Sequence, residues 1–194
     1  DYFNENTEIY QGMSLIDREL GGTTPIDIVL TLPEEEIIIN EDDFFFSEDS
    51  EVATYWWREK NMELLKSLKN SIDDVSGVGK VLSIANGAEF AENLNNGFPI
   101  GEAGLVFLKN SLLENDQAKQ IVDEYLSEDE RSTRISLRTV DSMDGLSRNE
   151  LLNEINAVLS AQLEGSDVSF FVSGLGVLYN NLLPVSYTHL TLPT

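Results

Sequence analysis

The order of strand-like and helix-like patterns along this chain predicts an α+β fold. Its expected form is a ferredoxin-like split βαβ sandwich, β-α-β/β-α-β, with helices on one face of an antiparallel sheet. Three observations carry the prediction. Four short segments alternate apolar and polar residues at the strand period of two. Two longer segments repeat apolar residues at the helical period. With 33–53 set aside as an acidic insertion and 86–126 as a helical one, the order is strand, helix, strand, then strand, helix, strand.

The elements follow in turn. Glu8 to Leu20 predicts a helix with Ile9, Met13, Ile16 and Leu20 on one face. Gly21 and Gly22 can take the positive φ that ends it, and Pro25 forbids its resumption. Pro25 to Leu32 is the first strand, with Ile26, Ile28, Leu30 and Leu32 opposite Asp27, Val29 and Thr31. Pro33 to Ala53 alternates acidic blocks with the triplets Ile37–Ile39 and Phe44–Phe46, which suit a short hairpin or a loop whose aromatics tuck into a groove. Its acids lack calcium-loop spacing.

Thr54 to Val75 reads as one long helix, with Leu65, Leu68, Ile72 and Val75 on its buried face. Tyr55, Trp56 and Trp57 open it in consecutive positions, so they cannot all face one core. They are the candidate surface for cargo or a partner, against the plainer alternative of packing on the acidic loop. Gly77 and Gly79 end the helix, and Lys80 to Ala85 is the second strand. Ala88–Leu94 and Ala103–Leu113 read as short helices. Asp116–Leu126 reads as another, with Ala118, Ile121, Val122 and Tyr125 on one side. Arg131 to Val140 is the third strand, setting Ile135 and Leu137 against Arg134, Ser136 and Arg138, whose arginines should pair with carboxylates. Asp141, Asp144 and Gly145 form a turn. Ser147 and Glu150 make a capping box for a helix over Ser147–Leu163, which buries Leu151, Leu152, Ile155, Val158 and Leu159 and stops at Gly165. Asp167 to Ser173 is the fourth strand, and a last helix begins near Gly174.

Composition narrows function mainly by exclusion. Among 194 residues, 41% are hydrophobic, enough for a core. No run reaches the roughly 18 to 20 apolar residues that a membrane helix needs. The net charge of −23, from 35 acids against 12 bases, opposes nucleic acid and anionic lipid surfaces. Up to Trp57 the only basic residue is Arg18. Cysteine is absent, and the one histidine is His189, so no Cys–His or Ser–His pair arises in the body of the chain. G-V-G-K at 77–80 lacks phosphate-loop spacing and precedes a strand. S-G-L-G at 173–176 lacks the third glycine of a dinucleotide fingerprint. The sequence offers no catalytic, cofactor or metal constellation.

Two stretches carry a family resemblance. Leu15 to Pro33 reads L-I-D-R-E-L-G-G-T-T-P-I-D-I-V-L-T-L-P, and Val172 to Pro184 reads V-S-G-L-G-V-L-Y-N-N-L-L-P. The first resembles the start of the first extracytoplasmic loop of resistance–nodulation–division (RND) exporters, in their MMPL-like branch. The second resembles the segment leading that loop into the next transmembrane helix. Gly21, Gly22, Thr23, Pro25, Gly174 and Gly176 hold the matching positions, as structural residues. Val185 to Thr194, V-S-Y-T-H-L-T-L-P-T, resembles a translated sequencing-library adapter, so His189 is expected to be non-native.

The resemblance implies four parts. Residues 1–24 are a lead-in helix after a transmembrane helix, and 25–173 a porter-like domain. Residues 174–184 start the return to the membrane, and 185–194 are an adapter-derived tail. It implies an inner-membrane, proton-driven exporter with this segment on the periplasmic side. The proton relay lies elsewhere in the chain, and no cofactor is needed. Partners would be hydrophobic or lipid-like cargo, the transmembrane remainder of the chain and, in a homo-oligomer, a second copy. Three alternatives stay open: a translocation accessory subunit, a Patched-like sterol-sensing protein, and a stand-alone acidic ferredoxin-like binding module.

Overall fold

Strand β1, Thr24–Thr31, is the centre of the molecule: Ile26, Ile28 and Leu30 are fully buried, while Asp27, Val29 and Thr31 on the other side are half-buried. The period-two pattern of the sequence has become the two faces of a sheet. The computed structural model describes residues 11, 12, 15, 19, 21–34, 53–140 and 148–174. Residues 11, 12, 15 and 19 are helical, in agreement with the expected lead-in helix. The hairpin expected within the acidic insertion, the turn at 141–145, the Ser147 capping box and Gly176 lie outside the described residues.

The remaining elements are a 3-10 turn, Tyr55–Trp57; α1, Glu59–Asp73; β2, Val78–Leu82; α2, Ala85–Leu94; α3, Gly101–Leu113; α4, Asp116–Tyr125; β3, Ser132–Thr139; α5, Arg148–Gln162; and β4, Ser169–Ser173. The sheet order is β2-β3-β1-β4, with each neighbouring pair antiparallel. β1 and β2 are therefore parallel across β3, and β3 and β4 are parallel across β1. This is the split βαβ arrangement twice over, so the α+β, ferredoxin-like expectation holds. Helices α1 and α5 supply the second layer, through Met62, Leu65, Leu68 and Ile72 and through Leu151, Leu152, Ile155 and Leu159.

Three expectations are corrected. The helix expected from Thr54 begins at Glu59, because Tyr55 sits at φ 45° and Arg58 is extended. The second strand runs Val78–Leu82 instead of Lys80–Ala85: Val78 already pairs with Thr139 ahead of a register shift that leaves Gly79 and Lys80 out of the ladder, and Ala85 opens α2. Ile121, expected on the buried side of α4, is exposed, and only Val122 of that helix is buried.

One end of the sheet is sealed by backbone contact. Gly21 and Gly22 adopt φ of 68° and 101°. A Cβ on Gly22 would lie 2.6 Å from the Thr139 carbonyl oxygen, and one on Gly79 would lie 1.8 Å from the Gly21 oxygen. A Cβ on Gly174, at φ 137°, would meet the Pro25 oxygen at 2.7 Å. The Thr23 amide donates to Thr139 O at 3.1 Å, and the Lys80 amide to Gly21 O at 3.2 Å. Glycine is required here by close approach as much as by torsion.

Gly79→Ala should therefore cost about 2–3 kcal/mol through overpacking. Gly87→Ala, in open space on α2, should gain about 0.5 kcal/mol from helix propensity. Urea midpoints at constant m-value read both changes, and equal effects would contradict the steric account.

Candidate functional site

The sealed end is where the chain enters β1 and leaves β4. The opposite end, about 24 Å away for seven residue steps of strand, joins β2 to β3 through α2, α3 and α4. Its residues come from the 3-10 turn, the three-helix insertion and the turn at 126–131.

A cavity of about 560 Å³ opens there, lined by Trp57, Leu113, Lys119, Val122, Asp123, Leu126, Ser127, Glu128 and Glu130. Small-molecule pockets span about 300–1,000 Å³. Leu113, Val122, Leu126 and Trp57 give it an apolar wall. Lys119, Asp123 and Glu128 are exposed and form no ion pair among the described residues. Glu130 is tied down: Lys109 pairs with it at 2.7 Å, and the Thr54 hydroxyl donates to its Oε2 at 2.7 Å. Asn115 positions α4 by accepting from the Gln117 and Ala118 amides, both at 3.0 Å.

Two residues at this end hold a positive φ, Glu130 in the cavity lining and Tyr55 at the start of the turn that carries Trp57. Tyr55 and Glu130 have φ of 45° and 56°, where L-residues are disfavoured by roughly 1–2 kcal/mol. Their neighbours hold them there. Asn61 Nδ2 donates to the Tyr55 carbonyl at 2.7 Å, and the Glu130 amide donates to Ser127 O at 2.8 Å. Between them Ser127 Oγ donates to Asp129 Oδ1 at 2.5 Å, and the Arg131 amide donates to the same oxygen at 3.1 Å. The hydroxyl, followed by the amide, holds the Asp129 carboxyl below its ordinary value.

The aromatic triplet is not an exposed surface. Trp56 and Trp57 are 0% and 1% exposed, and Tyr55 is half-buried. The turn at 55–57 breaks the helical spacing that set the three side chains apart, so both indoles enter the core. Trp56 Nε1 donates to the Arg131 carbonyl at 2.8 Å. Trp57 Nε1 is buried with no acceptor among the described residues.

Most of the exposed apolar surface lies instead on the insertion, at Phe90, Leu94, Phe98 and Phe107, with Phe171 of β4 a further exposed aromatic, each of the five 65–75% exposed. Sequence periodicity does not flag it, because α2 is turned inside out. Its acids face inward: Glu92 pairs with Lys66 at 2.5 Å and Glu89 with Lys69 at 2.8 Å, both lysines being on α1. Burial would lower the Lys66 pKa, but its hydrogen bonds to Glu63 and Glu92 outweigh this and raise it above 10.5. Of the expected arginine pairs, Arg134 lies 3.9 Å from Asp27, whereas Arg138 has no ion pair among the described residues.

Of the motif residues, Gly21, Gly22, Thr23, Pro25 and Gly174 come together at the sealed end, remote from the cavity. Among the described residues no helix is long and apolar enough to cross a membrane, and no cluster of metal-ligating side chains occurs. No family model matches the chain, and no curated protein matches it.

Two measurements check this geometry. Trp57→Phe removes an unpaired donor, whereas Trp56→Phe removes a made hydrogen bond, so Trp56→Phe should be costlier by about 1 kcal/mol. Urea denaturation compares them, and the reverse order would refute the assignment. The Lys66 pKa is raised on folding, so its contribution is complete below 10.5 and is lost as pH rises through the folded value. The stability gap between the parent and Lys66→Met should hold from neutral pH to 10.5 and close above it. A gap that closes on acidification down to pH ~6 instead would contradict the sign.

Proposed function

We propose that this chain is a porter-like extracytoplasmic domain of an RND-type, MMPL-like exporter. In that role it supplies apolar cargo contacts and gating motion, while proton chemistry belongs to the membrane portion. One observation carries the reading beyond the motif resemblance. The chain enters and leaves the sandwich at one sealed end, and most of its exposed large apolar side chains, Phe171 of β4 and Leu15 apart, lie on the insertion joined to the other. A domain strung between two membrane helices needs both connections on one side. A domain that handles apolar cargo needs accessible apolar surface, which Phe90, Leu94, Phe98 and Phe107 provide.

The test has two arms. Sequencing the source DNA beyond both ends should reveal an apolar stretch of about 20 residues on each side. A frame that closes with neither would overturn the exporter reading and favour a stand-alone acidic module. In the second arm, the neutral dye Nile red should brighten on the parent chain, and lose most of that signal with Phe90→Ser, Leu94→Ser and Phe107→Ser combined. A neutral dye avoids repulsion by the −23 charge. An undiminished signal would remove the insertion as a cargo surface.

A further inference from the structure

We propose that Asn96, in the turn joining α2 to α3, is a site of self-modification. Its side-chain amide is lost through attack by the Gly97 backbone nitrogen, which leaves a carboxylate in the turn. The proposal is independent of the exporter reading.

Asparagine is a thermolabile residue. Where glycine follows it, no side chain hinders the next backbone nitrogen. That nitrogen gives up its proton and bonds to the asparagine Cγ, while the Cγ–Nδ2 bond breaks and ammonia leaves. A five-membered succinimide results. Water then opens either of its two carbonyls, giving aspartate or iso-aspartate. One water is consumed and one ammonia released, with no change of oxidation state.

The chain contains two Asn–Gly pairs, Asn86–Gly87 and Asn96–Gly97, and the fold treats them differently. Asn86 is half-buried in the first turn of α2. Its Oδ1 accepts from the Ser83 amide at 2.8 Å, and the Gly87 amide donates to the Ile84 carbonyl at 3.0 Å. Both reacting groups are held, and Ala85 and Ala88 on either side are fully buried. Attack at Asn86 therefore requires the start of α2 to open.

Asn96 lies past the end of α2 at φ 57°, with Gly97 at φ 80°, and both are exposed. The Asn96 side chain has no hydrogen bond among the described residues. The Gly97 amide donates to the Glu92 carbonyl at 2.8 Å. This is a helix cap in which asparagine takes the left-handed position more often given to glycine. Such caps are frequently reinforced by a hydrophobic contact from the next residue, and Gly97 has no side chain to make one. Asn95 Nδ2 donates to the Phe98 carbonyl and the Phe98 amide to the Asn95 carbonyl, both at 3.1 Å. These bonds brace the turn without engaging either reacting group. One exposed hydrogen bond holds the attacking nitrogen, which slows attack by no more than about tenfold.

The product changes the surface around it. Residues 93–101 carry no charged side chain, and Leu94 and Phe98 on either side of the site are exposed. Conversion places a carboxylate between them.

Peptide mapping by mass spectrometry tests the proposal on the whole chain, incubated in mildly alkaline buffer with and without denaturing guanidinium chloride. In denaturant the two pairs should convert at similar rates. In the folded chain Asn96 should stay within about tenfold of its denatured rate, while Asn86 should be at least about tenfold slower than Asn96. Aspartate and iso-aspartate should both form at position 96, because a succinimide opens either way. Asn96→Gly keeps the left-handed cap and should remove most of the slow acidic drift of the folded chain on ion exchange. Equal conversion of the two sites in the folded chain would overturn the proposal, as would faster conversion at Asn86. So would aspartate alone at position 96, or an Asn96→Gly chain that drifts as the parent does.

Discussion

The structure depends on β1 holding one register against two neighbours at once. Ile28 faces Ile135 on one side and Val172 on the other. A slip of a single residue against either neighbour would bring Asp27 or Val29 into the place of a fully buried isoleucine. Hydrophobic alternation alone would permit a slip of two residues. The glycines remove that freedom. Gly22 meets Thr139 and Gly174 meets Pro25 with no room for a side chain, so the β1–β3 and β1–β4 registers are each fixed at the same end. Closing one end of the sheet so tightly leaves the other as the place where the chain has latitude.

That latitude is visible as a segregation of character. The sealed end is backbone against backbone, with glycines and threonine hydroxyls, including Thr139 Oγ1 donating to the Thr24 carbonyl at 3.3 Å. The far end carries the strained residues Tyr55 and Glu130, the cavity, and the exposed aromatics. Function tends to sit on connections held by a rigid scaffold. Here the connection is long enough to have helices of its own.

Much of the fold was legible in the sequence, because each strand has one face in the core and so prints a period of two. Ile26, Ile28, Leu30, Ile135 and Leu137 could be read directly, as could Leu65, Leu68 and Ile72 at helical spacing. The site was not legible. The burial of Trp56 and Trp57 depends on a backbone reversal at Tyr55, and periodicity assumes that the helix continues. The cavity draws Trp57 and Glu130 together from turns far apart in sequence, a juxtaposition that no local window contains. The inside-out orientation of α2 rests on Lys66 and Lys69, which precede it by a whole strand and turn. A signal was present only in hindsight: Phe90 and Leu94 at i, i+4 on a short helix, with alanines and acids filling the other side.

The orientation of α2 is also the least self-explanatory feature in energetic terms. Burying Phe90 and Leu94 would be worth about 1.5–3 kcal/mol each, while ion pairs near a surface contribute about 0–1 kcal/mol. The Lys66–Glu92 and Lys69–Glu89 pairs lie partly out of water, yet on magnitude alone they do not outweigh two large apolar side chains. Shape supplies the remainder. Ala85 and Ala88 are fully buried, and these small residues let α2 lie close against the sandwich in a space that a phenylalanine would overfill. The exposed face is therefore the consequence of a narrow seat, fastened by lysines that an otherwise acidic chain has in short supply. Phe90 and Leu94, held outward in this way, remain a standing free-energy cost to the isolated domain. Burial of Phe90 and Leu94 against any apolar surface would relieve that cost.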